Sequence, residues 1–297
     1  MPPSKNATFL RRLVLEADSL AARAAKNQFP VLLRPLAESR RVTSVEFRPL
    51  LVDAMLTTHP GGFRILFNSS GESPYELLER YENECRSKVM SSRLRFSLAH
   101  ELAHTLFYDL SETTPKVARL FRSGGGRTAL ENLERNCNKL ASHLLLPTTM
   151  LRAEFLKIKT INPKSILEFA DKAGVSLEAL IRRLNENDSL FIQRYFKGCI
   201  VLVEQTREAT DIRAIAKPQR LNIAHELLEM RANGRWKLAS YDGSEVHPAF
   251  LPSVSSTLLK IKTQTAVSQK AYTIASTKIR SFEASTSYLM TFEENEL

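Results

Sequence analysis

The sequence predicts an α+β chain in three successive parts. These are a mixed core over residues 1–147, a helical, helix-turn-helix-like segment over 148–189, and a β-rich accessory domain over 190–297. Three observations lead there: long amphipathic stretches free of glycine and proline, short β-favoured runs around a turn-forming tetrapeptide, and a change to β-favoured composition beyond Asn187. The chain has 297 residues, 43% hydrophobic and 25% charged, near the averages for globular proteins, so wholesale disorder and fibrous repeats are excluded.

The elements follow in order. Residues 7–26 space Leu10, Leu13, Leu15, Leu20 and Ala24 among charges at helical intervals and predict an opening amphipathic helix. Val42 to Phe47, Ala54 to Thr58 and Phe63 to Phe67 are β-favoured runs around the turn-forming His59-Pro60-Gly61-Gly62 and read as two or three strands with a hairpin. Helices are expected over Tyr75 to Val89, Ser92 to Phe107 and Leu130 to Leu145, the last stopped by Pro147. Short helices fill 148–187. Strands are then expected at Cys199 to Val203, Ile212 to Ala216, Trp236 to Tyr241 and within Tyr272 to Phe292.

No apolar run reaches the roughly 18 residues of a spanning helix, and charges at Arg11, Glu16, Asp18 and Arg23 interrupt the first thirty residues, so a cytoplasmic protein is expected. Cys85, Cys137 and Cys199 form no C-x-x-C pair, which argues against a disulfide framework or a thiolate zinc site. The net charge of +10 is spread along the chain and contains no Lys/Arg block, so it does not by itself specify nucleic acid.

The chemistry concentrates in His100-Glu101-Leu102-Ala103-His104, an H-E-x-x-H match. Residues four apart on a helix differ by about 40° in direction, so both imidazoles leave one face and can share a cation. Neutral nitrogen donors suit zinc, and Glu101 is placed to take a proton from a metal-bound water. A catalytic zinc needs a third protein ligand from another element, for which Glu134 is the candidate. Asp109, Glu112 and Glu131 are the alternatives.

Two motifs carry a family resemblance. Arg95, Phe96, Ala99, His100, Glu101 and His104 fit R-F-x-x-A-H-E-x-x-H, while Glu134, Asn138, Ala141, Leu144, Leu145 and Pro147 fit E-x-x-A-N-x-x-A-x-x-L-L-x-P. In order and spacing they resemble the ImmA/IrrE bacterial zinc metallopeptidases over roughly residues 40–185. Cys137 departs from the motif's alanine, and we read it as a small buried packing residue. The resemblance implies a zincin-like metallopeptidase core and zinc held by His100, His104 and Glu134. It also implies intracellular regulatory proteolysis of a transcriptional repressor and, in the C-terminal region, a sensor-like domain. Asn138, one turn after Glu134, either orients a zinc ligand or packs the two helices together. His143, nine residues after Glu134, falls on the opposite side of the helix and is read as structural.

Other features carry less. His225-Glu226-Leu227-Leu228-Glu229 lacks the second histidine, and Gly124-Gly125-Gly126 lacks the Lys-Ser/Thr of a phosphate loop and reads as a connector. Ala170, Gly174 and Leu180 lie at helix-turn-helix spacing, with Ser176 as the expected cap of the second helix. Leu177-Glu178-Ala179 offers little to read base edges, although Arg182 and Arg183 are placed to meet phosphates. Weak or no specific DNA binding is therefore expected, with a protein substrate as the partner. The rival readings are a DNA-binding regulator or a toxin/antitoxin component whose peptidase site is vestigial.

Overall fold

A computed structural model describes residues 5–87, 90–111, 113–117, 127–158, 161–186, 198–206, 210–216, 231–232, 235–236, 272–281 and 285–294. The connector glycines 124–126, Glu112, His225 with its neighbours and most of the expected strand at 236–241 lie outside them. The class is α+β. The chain divides into two compact units, Met1–Ala153 with Asp171–Ser176, and Glu154–Ala170 with Leu177–Leu297. Among the described residues no helix is long and apolar enough to cross a membrane.

The first unit opens with α1 (Lys5–Ala25) and α2 (Leu33–Ser39), followed by β1 (Val42–Arg48), β2 (Ala54–His59) and β3 (Gly62–Asn68). The sheet order is β1-β3-β2, with β1 parallel to β3 and β2 antiparallel to it. The central strand buries Phe63, Ile65 and Phe67 at alternate positions, as a strand with one covered face must. Gly62 is required where it stands, because a Cβ there would lie 2.0 Å from the carbonyl oxygen of Arg41, which accepts the Phe63 N–H. Next come α3 (Pro74–Ser87), α4 (Ser92–Thr105), the short strands β4 (Tyr108–Asp109) and β5 (Lys116–Val117), α5 (Arg127–Leu145) and α6 (Thr148–Phe155).

Helix α4 is fastened at both ends. Ser91 caps it by accepting the Leu94 N–H at 3.3 Å. Near that end the buried Arg95 donates from Nη2 to the Val31 carbonyl at 3.0 Å and from Nε to the Gly174 carbonyl at 2.9 Å. Gly174 has φ +64°, and a Cβ on it would crowd Arg95 Nε at 3.0 Å, so glycine there serves both the turn and the close approach. At the C-terminal end the Thr105 carbonyl accepts from Arg40 Nη2 at 2.7 Å, and its hydroxyl oxygen accepts from Arg40 Nε at 3.1 Å. A carbonyl orphaned by the helix end is thereby satisfied inside the core. Between these clamps Leu98, Ala99, Leu102 and Ala103 are fully buried.

Helix α5 packs against α4 and α1, burying Cys137, Leu140, Ala141, Leu144 and Leu145. His143 is fully buried on a different side from the metal motif, 3.0 Å from Asp18 Oδ1 through Nδ1. The same carboxylate accepts the Thr148 N–H at 3.0 Å and the Thr148 hydroxyl at 2.6 Å, tying α1 to the end of α5 and the start of α6. Burial alone would raise the Asp18 pKa, but the hydrogen bonds from His143 and Thr148 and the charge interaction with His143 outweigh it and hold the carboxyl below its ordinary value. A depressed carboxyl pKa contributes stability above its unfolded value of about 4, and this is lost as the pH falls through the folded value. Asp18→Asn is expected to cost about 1–3 kcal/mol at pH 7 and to flatten the loss of stability below pH 4. Urea unfolding at pH 7 and pH 3 checks this; acid limbs of equal slope in both proteins would refute it.

Helices α7 (Pro163–Ala173) and α8 (Leu177–Leu184) flank Gly174, at the spacing expected of a helix-turn-helix. Arg183 overturns one expectation: its side chain is fully buried, with Nη1 3.4 Å from Glu186 Oε2, so it cannot meet a phosphate. Arg182 is exposed and bonded to Glu178 one turn earlier. In the second unit, β6 (Gly198–Thr206) and β7 (Thr210–Ala216) precede the two-residue strands β8 (Arg231–Ala232) and β9 (Arg235–Trp236). Beyond them, β10 (Tyr272–Ser281) and β11 (Ser285–Glu294) join β6 and β7 in an antiparallel sheet ordered β10-β11-β6-β7.

Candidate metal centre

Helices α4 and α5 bring together five of the residues singled out by the sequence. His100 and His104, one turn apart, place their Nε2 atoms 3.2 Å from each other, with ring centroids 4.9 Å apart. Glu134 reaches across from α5, with Oε2 3.1 Å from His100 Nε2 and Oε1 3.6 Å from His104 Nε2. Asn138, one turn after Glu134, sets its Oδ1 2.9 Å from His100 Nδ1. An amide oxygen only accepts, so this contact places an N–H on His100 Nδ1, with Nε2 facing Glu134. Asn138 thus reaches across from α5 to α4 at His100.

Glu101 is 5% exposed. Its pKa is pushed up to about 7, first by burial and then by the negative charge of Glu134, against a hydrogen bond from the Leu56 backbone that favours the carboxylate. That bond ties Glu101 to β2, an edge strand of the sheet. His104 is pulled down to about 4 by burial and by His100, with Glu134 opposing, so it is neutral at physiological pH. Neutrality is the state a metal-binding imidazole requires.

Whether the residues suit a metal can be tested on the donor atoms themselves. Ligand atoms at zinc bonding distances and tetrahedral angles stand about 3.3–3.6 Å apart. The two Nε2 atoms and the Glu134 oxygens are separated by 3.1 to 3.6 Å. The Nε2 atoms of both imidazoles and the Glu134 carboxylate oxygens face one point, an arrangement that suits a cation between them. Glu101 joins the two histidines in a group whose ligand atoms lie within 4.8 Å of one another. The site thus fits a zinc-sized cation. It opens into a cleft of about 530 Å³ whose wall includes Met55, Leu56, Phe96 and Tyr108.

The other sequence candidates are placed elsewhere. Asp109 is exposed and its Oδ1 accepts the Ser111 N–H at 2.9 Å, while Glu131 is exposed on the first turns of α5. His143 is bonded to Asp18. Sequence reasoning missed the supports of the site. Arg40 and Arg95 hold α4 through partners 64 to 79 residues away, a separation at which residue patterns carry no signal. Cys137, expected to do no more than pack, puts its sulfur 3.3 Å from His104 Nδ1.

Residues 86–185, which include both metal-site helices, match the family described as Peptidase_M78, IrrE N-terminal-like domain. No curated protein is a significant match to the chain. Among solved structures, a Mycobacterium tuberculosis transcriptional regulator is similar over 95% of this chain and 76% of its own, at 12% identity and a TM-score of 0.46. A likeness that loose carries no argument about fold or activity.

Proposed function

We propose that this chain, whose residues 86–185 match the IrrE N-terminal-like domain of the Peptidase_M78 family, is a zinc-dependent endopeptidase that performs intracellular regulatory proteolysis. The observation that carries the reading is the convergence of His100 Nε2, His104 Nε2 and the Glu134 carboxylate within 3.1 to 3.6 Å, beside a buried Glu101. His100, His104 and Glu134 would hold the ion. When bound, zinc supplies Lewis acidity toward a carbonyl oxygen and lowers the pKa of a water.

The protein's own groups do the rest. Glu101 accepts the proton of the attacking water on its carboxylate and passes it to the leaving amine. The Leu56 N–H holds that carboxylate in place. Among the described residues β2 is the edge of its sheet and lies beside the cleft, where an extended peptide can add as a further strand. Asn138 keeps His100 in the tautomer that leaves Nε2 free.

By the family resemblance the substrate is a helix-turn-helix repressor, met in the cytoplasm, and residues 190–297 form an accessory, sensor-like domain. Burial of Arg183 weighs against specific DNA recognition through the helix-turn-helix-like segment. The test uses the purified full chain. It is expected to carry about one zinc per molecule by elemental analysis, to cleave a repressor encoded beside it, and to lose and regain that cleavage on chelation and zinc repletion. A protein that retains no zinc at neutral pH would overturn the reading.

A further inference from the structure

The two imidazoles of the centre are each met from behind by a side chain of α5. Glu134 faces the point between them; Cys137 and Asn138, three and four residues later, lie about 60° to one side and 40° to the other of its direction on the helix. Asn138 reaches His100 Nδ1 at 2.9 Å, and the Cys137 sulfur reaches His104 Nδ1 at 3.3 Å. Cys137 is fully buried, so it presents neither a nucleophile nor a ligand to the cleft.

We infer that Cys137 is a positioning residue: its sulfur accepts the Nδ1–H of His104 and keeps the Nε2 lone pair of that ring turned toward His100 and Glu134. The inference rests on the metal-site reading above. Its physical basis is that a neutral imidazole has one protonated and one free nitrogen, and the partner of the first decides which way the second points. Without an acceptor at position 137 the buried ring is free to carry its proton on Nε2, directed at the other donors, and that form cannot bind the ion. Sulfur is a weak acceptor, and it meets the His104 ring from a fully buried position on α5, away from the cleft that the ring lines.

The role separates from packing by a set of substitutions. Cys137→Ser keeps an acceptor and loses volume and apolarity; Cys137→Val keeps apolar bulk and loses the acceptor; Cys137→Ala loses both. In the full-length apo protein, zinc affinity measured by competition with a chromophoric chelator is expected to fall about 10-fold in the Val and Ala variants and to stay within about threefold of wild type in Ser. Imidazole ¹⁵N shifts of the apo wild type are expected to report His104 protonated on Nδ1. Two results would overturn the inference: a Val variant that binds zinc like wild type while Ser weakens, which is the signature of packing, or a wild-type His104 protonated on Nε2. A wild type with no zinc affinity would overturn the metal-site reading as well, whereas normal wild-type affinity with an unaffected Val variant removes the role of Cys137 alone.

Discussion

Glu101→Gln is expected to retain zinc and to lose proteolysis by a factor of about 10² to 10⁴, the weight of a positioned general base. The amide matches the carboxylate in size and can still accept the Leu56 N–H through its oxygen, so the cleft wall at β2 stays in place. What disappears is the capacity to take a proton. A pKa raised to about 7 by burial and by Glu134 makes Glu101 an effective base near neutrality, and a bound cation shifts it downward by favouring the carboxylate. The working form is the ionised one, so wild-type cleavage rises with pH through that ionisation, and the Gln variant lacks the rising limb. Single-turnover cleavage across pH 5–8, with zinc content measured on the same samples, checks both parts. A wild-type rate in the variant rules out Glu101 as the base; loss of zinc makes it a structural support of the site.

The centre was legible because its main part is local. H-E-x-x-H encodes in five residues a geometry that any α-helix realises, and Ser92 to Phe107 showed helical character independently of the motif. The hairpin was legible for a similar reason, since Pro60-Gly61-Gly62 between β-favoured runs specifies a tight reversal, observed as β2 pairing β3. What escaped was long-range or context-dependent. Nothing local says that β1 pairs β3 in parallel and leaves β2 at the edge beside the cleft. Helix α2 carries no sequence signal of its own, being seven residues long with Pro35 in its first turn, where the missing N–H has no helical partner to lose.

Arg183 shows the limit from the other side. Charge and position on an amphipathic helix suggested a phosphate contact, but the side chain is buried and bonded to Glu186. A sequence window cannot tell a solvated arginine from an interior one, because the distinction depends on what other elements cover. Asn138 was recognisable as lying on the face of Glu134. Its contact with His100 Nδ1 depends on how α4 and α5 pack, which no sequence window shows.

Glu134→Ala is expected to weaken zinc binding by more than the roughly 10- to 100-fold that loss of an outer hydrogen-bond partner costs, and to abolish proteolysis with it. Removing the carboxylate leaves two imidazoles 3.2 Å apart, short of the three donors that hold a catalytic zinc while leaving a position for water. Proton competition cannot imitate the result. His104 is lowered to about 4 by burial and His100, and Glu134 is the contribution that raises it, so deleting Glu134 leaves the ring still less protonated at pH 7. The same deletion removes a charge that raises Glu101, which becomes more fully ionised and, if anything, a better donor. Both protonation effects therefore favour cation binding, and a measured loss reports the missing carboxylate, as donor and as negative charge, rather than proton competition. Full zinc retention in this variant would assign the third position to another carboxylate, with Glu101 nearest at hand and Glu131 one turn earlier on α5 as the next to be replaced.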